Sequence, residues 1–546
     1  MRFFDVKPSL CLLAAGALAI TACSGSSGKA SSVGAAKGGE PTVPVATPAT
    51  QVIADTVPEG AQRLHFEVPI DIVPGQNNIG YTRTIPQPNV DGYIVGMSTN
   101  LRLANGTVPP VDVIHLHHGV WVNLAASDLT DPGLPERFFA AGEEKTRMLA
   151  NTGYGYKFTA SKDKWLLNYM LHNQLSKPSK VWVTYDIDFV PMTSPLAKTL
   201  KPARPVWMDV QNGSIYPVFD VLQGSGKNGT YTYPDDAGDP YACKTAQPGE
   251  SRRHRRCGKP LNQWTVSGDG VLLLAGGHLH PGGLRDDLWV KRQGATGLPG
   301  HTKPGIPDTA HVFASVATYW EPAGPSSWDV AMSVTPDNWR VALKKGDTLS
   351  MSTTYGTKTG SWYESMGIMV LWMAFDSDGA SGGANPFTTP VDVQGVLTHG
   401  HLAENNNHGG APDPTNYQDV TKLPSRVVPS GTVLPIADFA YQGDMSAASS
   451  IPTVKAGGYL TFRNDDAKQG IPHTLTACKA PCDLSTGIAY PLANGVPGFD
   501  SGELAAIGPP SNGQLTWSTP TNLPPGTYTY YCRIHPFMRG AFRVVA

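Results

Sequence analysis

Near the C-terminus the stretch YYCRIHPFMRG (530–540) sets Cys532, His535 and Met538 at three-residue intervals. A thiolate, an imidazole and a thioether on one short loop make a soft ligand set, suited to copper in both of its common oxidation states. Two histidine groups lie far upstream. VDVIHLHHGVWVN (111–123) carries His115, His117 and His118, and GGHLHPGG (276–283) carries His278 and His280. Positions i and i+2 of a strand point to one face, so an H-x-H pair chelates a metal without any bend. One such pair alone reads as surface or core histidines with ordinary hydrogen bonds. Two clusters in a chain that also ends in a soft-ligand loop point to metal.

Two further pieces have ligand chemistry. KWLLNYMLHNQ (164–174) places His172 at the end of an apolar strand, and TGSWYESMGIMVLWMAF (359–375) places Met366 just before another. A third histidine group, VLTHGHLAENNNHGGAPDP (396–414), holds His399, His401 and His408 with Glu404. Its Gly/Asn/Pro-rich composition reads first as a linker whose histidines face water. The alternative is an extra metal site that guides copper or positions the C-terminal module. His65, His254, His301 and His311 receive no role.

The elements that must position these residues are strands. A chain of 546 residues predicts about three to four domains. Its 59 Gly and 48 Pro, with only 16% charged residues, suit turn-rich β architecture. VWVTYDIDF (181–189), VLLLA (271–275), IMVLWMAF (368–375) and GTYTYYC (526–532) are β-branched or aromatic runs bounded by turn residues. The expected fold class is all-β, with one short helix expected in LPERFFAAGEEKTRMLA (134–150). The 42 Lys+Arg against 44 Asp+Glu leave a net charge of −2, so no nucleic-acid footprint is visible. The RRHRR run at 252–256 reads as a solvated loop.

At the N-terminus, Arg2 and Lys7 precede the apolar run LCLLAAGALAI, too short to span a bilayer and suited to an export signal. It ends in ITAC, which resembles the lipobox of bacterial lipoproteins. That resemblance implies cleavage after residue 22, a lipid anchor on Cys23 and a place on the outer face of a bacterial membrane. Acyl chains bury about 0.8 kcal/mol per CH2, enough for several chains to hold the protein there. A simply cleaved, secreted protein is the alternative. Ser/Gly/Ala and then Pro/Thr dominate residues 23–58, a flexible tether. Of the five cysteines beyond the signal and anchor, Cys243 with Cys257 and Cys478 with Cys482 are possible disulfides outside the cytoplasm. Cys532 is left unpaired, and an odd thiol in an oxidising compartment needs a reason.

With His473 in VKAGGYLTFRNDDAKQGIPHTLTA (454–477), the C-terminal region resembles the cupredoxins: one distant histidine, then Cys, His and Met from one loop. Its C-x-x-H-x-x-M spacing and HPFMRG run are most similar to the amicyanin type. The resemblance covers about residues 430–546 and implies His473, Cys532, His535 and Met538 as ligands of a type 1 (blue) copper. It also implies a Greek-key barrel that transfers electrons. An insertion carrying CKAPC and STGIAYPLANGVPGFDSG departs from small cupredoxins.

The region from about residue 60 to 378 resembles the copper monooxygenases represented by peptidylglycine hydroxylating monooxygenase and dopamine β-monooxygenase. The motif order is His117 and His118, then His172, then His278 and His280, then Met366. The resemblance implies two jelly-roll-like β-sandwich domains, over 59–205 and 206–380. His117, His118 and His172 would hold an electron-storing copper. His278, His280 and Met366 would hold the oxygen-binding, catalytic one. Simple strand geometry pairs His115 with His117 instead, whereas the family pairs His117 with His118. After Met366 the chain reads GIMVL, without the Asn and Tyr that hold a peptide carboxylate, so a peptidylglycine substrate is not expected.

The expected architecture is therefore an export signal (1–22), a tether (23–58), two sandwiches, a linker (381–430) and a cupredoxin (431–546). The expected function is copper-dependent monooxygenation of an unknown organic substrate, fed by the blue copper and by a redox partner or small-molecule reductant. Two alternatives differ in class. One is a non-catalytic copper-binding or electron-shuttling lipoprotein, and the other is an oxidase acting on metal ions.

Overall fold

The computed structural model describes residues 48–546 except 74–75, 110–113, 151, 174–176, 213–216, 223, 239, 242–258, 321–329, 359–361, 376–381, 401–419, 443–449, 479, 481–497, 507–512 and 536–537. The export signal, Cys23, Cys243, Cys257, Cys482, His254, Glu404, His401 and His408 lie outside the described residues. Cys478 is fully buried and disulfide-bonded.

The fold is all-β, with several sheets and, among the described residues, only short 3-10 turns beside the strands. The segment 134–150 is not helical. It forms the strands Pro135–Gly142 and Arg147–Leu149. Its Ala, Glu and Lys favour a helix, but Phe138 and Phe139 are buried against Tyr156, Trp165 and Trp121. Burial of two such rings contributes about 1.5–3 kcal/mol each, more than a propensity difference of some tenths per residue.

A four-stranded sheet runs in the order Asn77–Arg83, Trp165–Asn173, Ile114–Ser127, Pro135–Gly142. It packs its inner residues, among them Trp121, Phe139, Leu167 and Leu171, into one core with Val183, Ile187 and Phe189 of the facing sheet. That facing sheet does not stop where the first sandwich was expected to end. Strand Lys201–Asp209 pairs in parallel with Tyr154–Phe158 at one end and antiparallel with Gly367–Phe375 along its length. The expected boundary between 205 and 206 thus falls inside a strand of a continuous 16-stranded sheet.

Strand Gly270–Leu279 is buried throughout, as its near-continuous apolar sequence requires of a strand covered on both faces. Its ladder with Gly367–Phe375 ends at Leu279 opposite Gly367, one residue from His280 on one strand and from Met366 on the other. A second core, including Leu288, Phe313, Leu349 and Met369, lies beyond it.

Toward the C-terminus, a five-stranded sheet contains Ile451–Lys455, Arg539–Val545 and Gly526–Tyr531, and a four-stranded sheet contains Thr432–Ala437 and Leu460–Asn464. Phe462 and Leu460 of the second sheet share a core with Tyr530 and Phe542 of the first, so the two sheets face each other as a sandwich. Pairing is mixed: Ile451–Lys455 runs parallel to Arg539–Val545, which runs antiparallel to Gly526–Tyr531.

Candidate metal centres

In the C-terminal unit, His473 precedes the short strand Thr476–Ala477, which pairs with Gly526–Tyr531; Cys532 follows the latter directly. The loop after Cys532 closes on itself. The Cys532 N–H donates to the Met538 carbonyl at 3.0 Å, and the Met538 N–H donates to the His535 carbonyl at 2.8 Å. His473, Cys532, His535 and Met538 are all buried.

Cys532 Sγ lies 3.8 Å from His473 Nδ1 and 3.7 Å from His535 Nδ1, and the two nitrogens are 3.2 Å apart. First-row ions bind imidazole nitrogen at about 2.0 Å and thiolate sulfur at about 2.3 Å, bond lengths that span edges of about this size. The donor set therefore fits a copper ion. Asp466 Oδ2 accepts from His473 Nε2 at 2.9 Å, which turns Nδ1 toward the sulfur. The Thr474 N–H points at Cys532 Sγ from 3.4 Å. Burial pushes the Cys532 thiol up, but hydrogen bonds with His473 and His535 outweigh it and hold the thiol well below its ordinary range. Burial lowers His473, and its bonds to Asp466 and Cys532 more than reverse this.

The upstream histidines converge. His115, His117, His118, His172, His278 and His280 are all buried, on strands Ile114–Ser127 and Trp165–Asn173 and at the end of Gly270–Leu279. His115 sits opposite His172 across the ladder, and a bulge between Leu116 and His118 makes His117 the extra residue. A bulge breaks the alternation of a strand and re-aims its side chains. His117 accordingly belongs to two groups whose ligand atoms lie within 4.8 Å of one another, one with His115 and His172 and one with His118 and His280. Its ring centroid is 4.4 Å from that of His172 and 3.9 Å from that of His280.

Two residues that the sequence reading passed over organise this cluster. Glu143 and Glu144 occupy the tight turn after Pro135–Gly142, closed by the Lys145 N–H on the Gly142 carbonyl at 3.0 Å. Glu143 Oε1 lies 2.8 Å from His117 Nδ1, and Glu144 Oε2 lies 2.8 Å from His278 Nδ1. Glu143, Glu144 and His278 form a further group of compatible ligand atoms. His280 Nδ1 donates to the Glu364 carbonyl. These contacts fix the tautomers, as carboxylate–histidine pairs do behind metals, and the Nε2 atoms of His278 and His280 are buried without a hydrogen-bond partner. The only local signal was a pair of acids straight after an apolar run.

Burial is the main cause that lowers the pKa of His117, His172 and His280, with mutual repulsion among the imidazoles second; the same burial takes His118 to about 3. Neutral imidazoles are the form that binds metal. Burial and the neighbouring Glu144 raise Glu143. Burial also raises Glu144, but His278 outweighs it and holds that carboxyl below its usual range. Repulsion from His535 of the C-terminal centre is among the smaller causes that lower His172.

Of the expected ligand sets, His117 meets both His118 and His172, but His115 joins His172 as well, and His278 turns to Glu144. Met366 is buried, its backbone N–H donating to Tyr355 Oη at 2.9 Å and its carbonyl accepting from the same hydroxyl at 2.6 Å. Met366 and His118 line one cavity. His399 rests against Trp320, with its ring nitrogens 3.1 and 2.9 Å from the carbonyls of Gly400 and Val330, and joins no ligand group among the described residues. His301 and His311 share Asp392, while His65 pairs with Asp186 and Glu67 near the surface.

No protein-family model and no curated protein matches the chain. Among solved structures it is similar to a reduced amicyanin variant, at 22% identity over 24% of this chain and 92% of that chain, with a TM-score of 0.14. It is also similar to the copper(I) form of a second amicyanin variant, at 22% identity over 24% of this chain and 91% of that chain, again with a TM-score of 0.14.

Proposed function

We propose that this is a copper-binding redox protein whose C-terminal centre, held by His473, Cys532, His535 and Met538, feeds electrons to the buried histidine cluster, where an organic substrate is monooxygenated. The observation that carries this reading is that one chain holds a buried His473–Cys532–His535 group of compatible ligand atoms and, separately, the buried histidine groups that share His117. In the C-terminal set, two imidazoles, a thiolate and a thioether tolerate both copper oxidation states, so little reorganises on one-electron transfer. Monooxygenation consumes one C–H bond, one O2, two electrons and two protons and yields an alcohol and water. Copper in the histidine cluster would supply the oxygen chemistry.

The chain's own residues do the rest. Glu143, Glu144 and the Glu364 carbonyl orient the imidazoles of His117, His278 and His280, and burial keeps His117 and His280 neutral. A donor on the same chain raises the local concentration of reductant to about the millimolar range. We further infer export and a lipid anchor on Cys23 from the N-terminal pattern.

One observation favours a second reading, a copper store served by an electron shuttle. His117 belongs to both histidine groups, so both cannot be filled at once with three imidazoles each. Elemental analysis of copper-loaded full-length protein, beside its visible spectrum and oxygen uptake with a reductant, separates the readings. Copper beyond one per chain, lost in His278→Ala, together with reductant-dependent oxygen uptake lost in Met366→Ile, is expected. One copper per chain would leave only the shuttle. Extra copper without oxygen uptake would leave the store.

A further inference from the structure

Between the outer face of the four-stranded sheet and the strands that begin the second core lies a cavity of about 240 Å³. Its floor alternates along Ile114–Ser127: His118, Val120, Val122 and Leu124, every second residue, face it, as a strand's period of two requires. Leu166 and Asn168 extend the floor on the neighbouring strand, in register with Val122 and Val120. Trp207, Asp209, Met366 and Ile368 form the opposite wall. Tyr81 and Leu124, 54% and 49% exposed, mark the mouth, and His118 and Met366, 7% and 1% exposed, mark the deep end.

The charged groups on the wall are already committed. Arg137 donates to Asp128 at 2.8 Å and to Asn212 at 3.0 Å, and its guanidinium lies over the Trp207 ring at 4.6 Å. Asp209 accepts from Trp207 Nε1 and from the Gln211 N–H, both at 2.7 Å, and lies 3.8 Å from Arg137. Among the described lining residues Arg137 is the one Lys or Arg, and it is already held by Asp128, Asn212 and the Trp207 ring, while the Asp209 carboxyl on the same wall disfavours an anion.

We propose that this cavity binds a neutral, largely apolar organic molecule and presents it to the histidine cluster at His118. An apolar cavity of about 150 Å³ takes up benzene, so 240 Å³ admits a molecule of roughly eight to twelve non-hydrogen atoms. The inference names the substrate class of the monooxygenase reading and rests on that reading for its functional meaning. Binding itself needs neither copper nor oxygen, so the two can fail separately.

The test is equilibrium binding of naphthalene to the full-length protein, copper-free and copper-loaded, by titration calorimetry. One equivalent is expected in both forms. Affinity should fall at least tenfold in Val120→Trp, which fills the floor, and at least tenfold when naphthalene is replaced by naphthalene-2-sulfonate. Leu124→Trp at the mouth supplies the same readout should Val120→Trp fail to fold, with the visible band of the C-terminal centre reporting an intact chain. Absence of saturable binding, binding indifferent to these substitutions, or sulfonate binding as tightly as naphthalene would each overturn the inference. Naphthalene bound at this site, with no oxygen uptake by the copper-loaded protein when a reductant is supplied, would instead sink the monooxygenase reading and leave the cavity assignment standing.

Discussion

Replacement of Gly142 by alanine tests the histidine cluster most directly. Gly142 ends its strand opposite His118, and a Cβ built there would lie 2.5 Å from the His117 carbonyl oxygen and 2.5 Å from His278 Cε1. Both are far inside van der Waals contact, and neither neighbour can yield cheaply. The His117 carbonyl is strand backbone, and the His278 ring is held by Glu144 at 2.8 Å. Overpacking of this kind costs about 1–3 kcal/mol. Breaking the charge-assisted His278–Glu144 bond adds about 1.5–3 kcal/mol. If His278 swings away, the cluster loses the imidazole that its carboxylate had aimed, and metal affinity there should drop by at least tenfold. The assay is copper per chain after dialysis against a weak chelator, read beside the visible band of the C-terminal centre. Gly142→Ala should shed the upstream copper and keep the band. Retention of all the copper with unchanged thermal stability would refute the close approach of the two strands, and with it the joint cluster.

Glu144→Gln keeps the shape but weakens the bond to His278, and upstream copper affinity should fall about 10- to 100-fold with the C-terminal band unchanged, as competition with a chelator would report. Asp466→Asn removes the carboxylate that turns His473 Nδ1 toward Cys532; copper affinity at the C-terminal centre should fall about tenfold, measured by titration of the visible band. His311 is buried, which lowers its pKa, but Asp287 and Asp392 reverse this and take it up to about 9. Because the folded value exceeds the unfolded 6.5, its stabilisation is complete below about pH 6.5 and is lost as pH rises through about 9, a change of about 3 kcal/mol. Thermal unfolding of the full chain between pH 6 and 9.5 should show that loss, and His311→Gln should flatten it.

The group of His473, Cys532 and His535 was partly legible in the sequence because Cys532 and His535 sit three residues apart on one loop, where loop closure alone brings them together. The strands were legible for a similar reason: β-branched and aromatic runs between turn residues carry their own signal, as in 271–275 and 368–375, both of which are strands. The segment 134–150 was misread because its local preference is helical and its aromatic burial, contributed by Trp121, Tyr156 and Trp165, is not local.

The residue types of the upstream cluster were equally plain in the sequence, but their partnerships were not. A bulge at His117, the absence of a Cβ at Gly142 and the turn that carries Glu143 and Glu144 decide which imidazoles meet and which nitrogen each presents. The cavity beside His118 exists only because strands far apart in the chain close over Val120 and Val122. Spacing along a chain determines what one loop or one strand face can hold. Which faces come together is decided by packing between distant strands, and only the tertiary structure contains that.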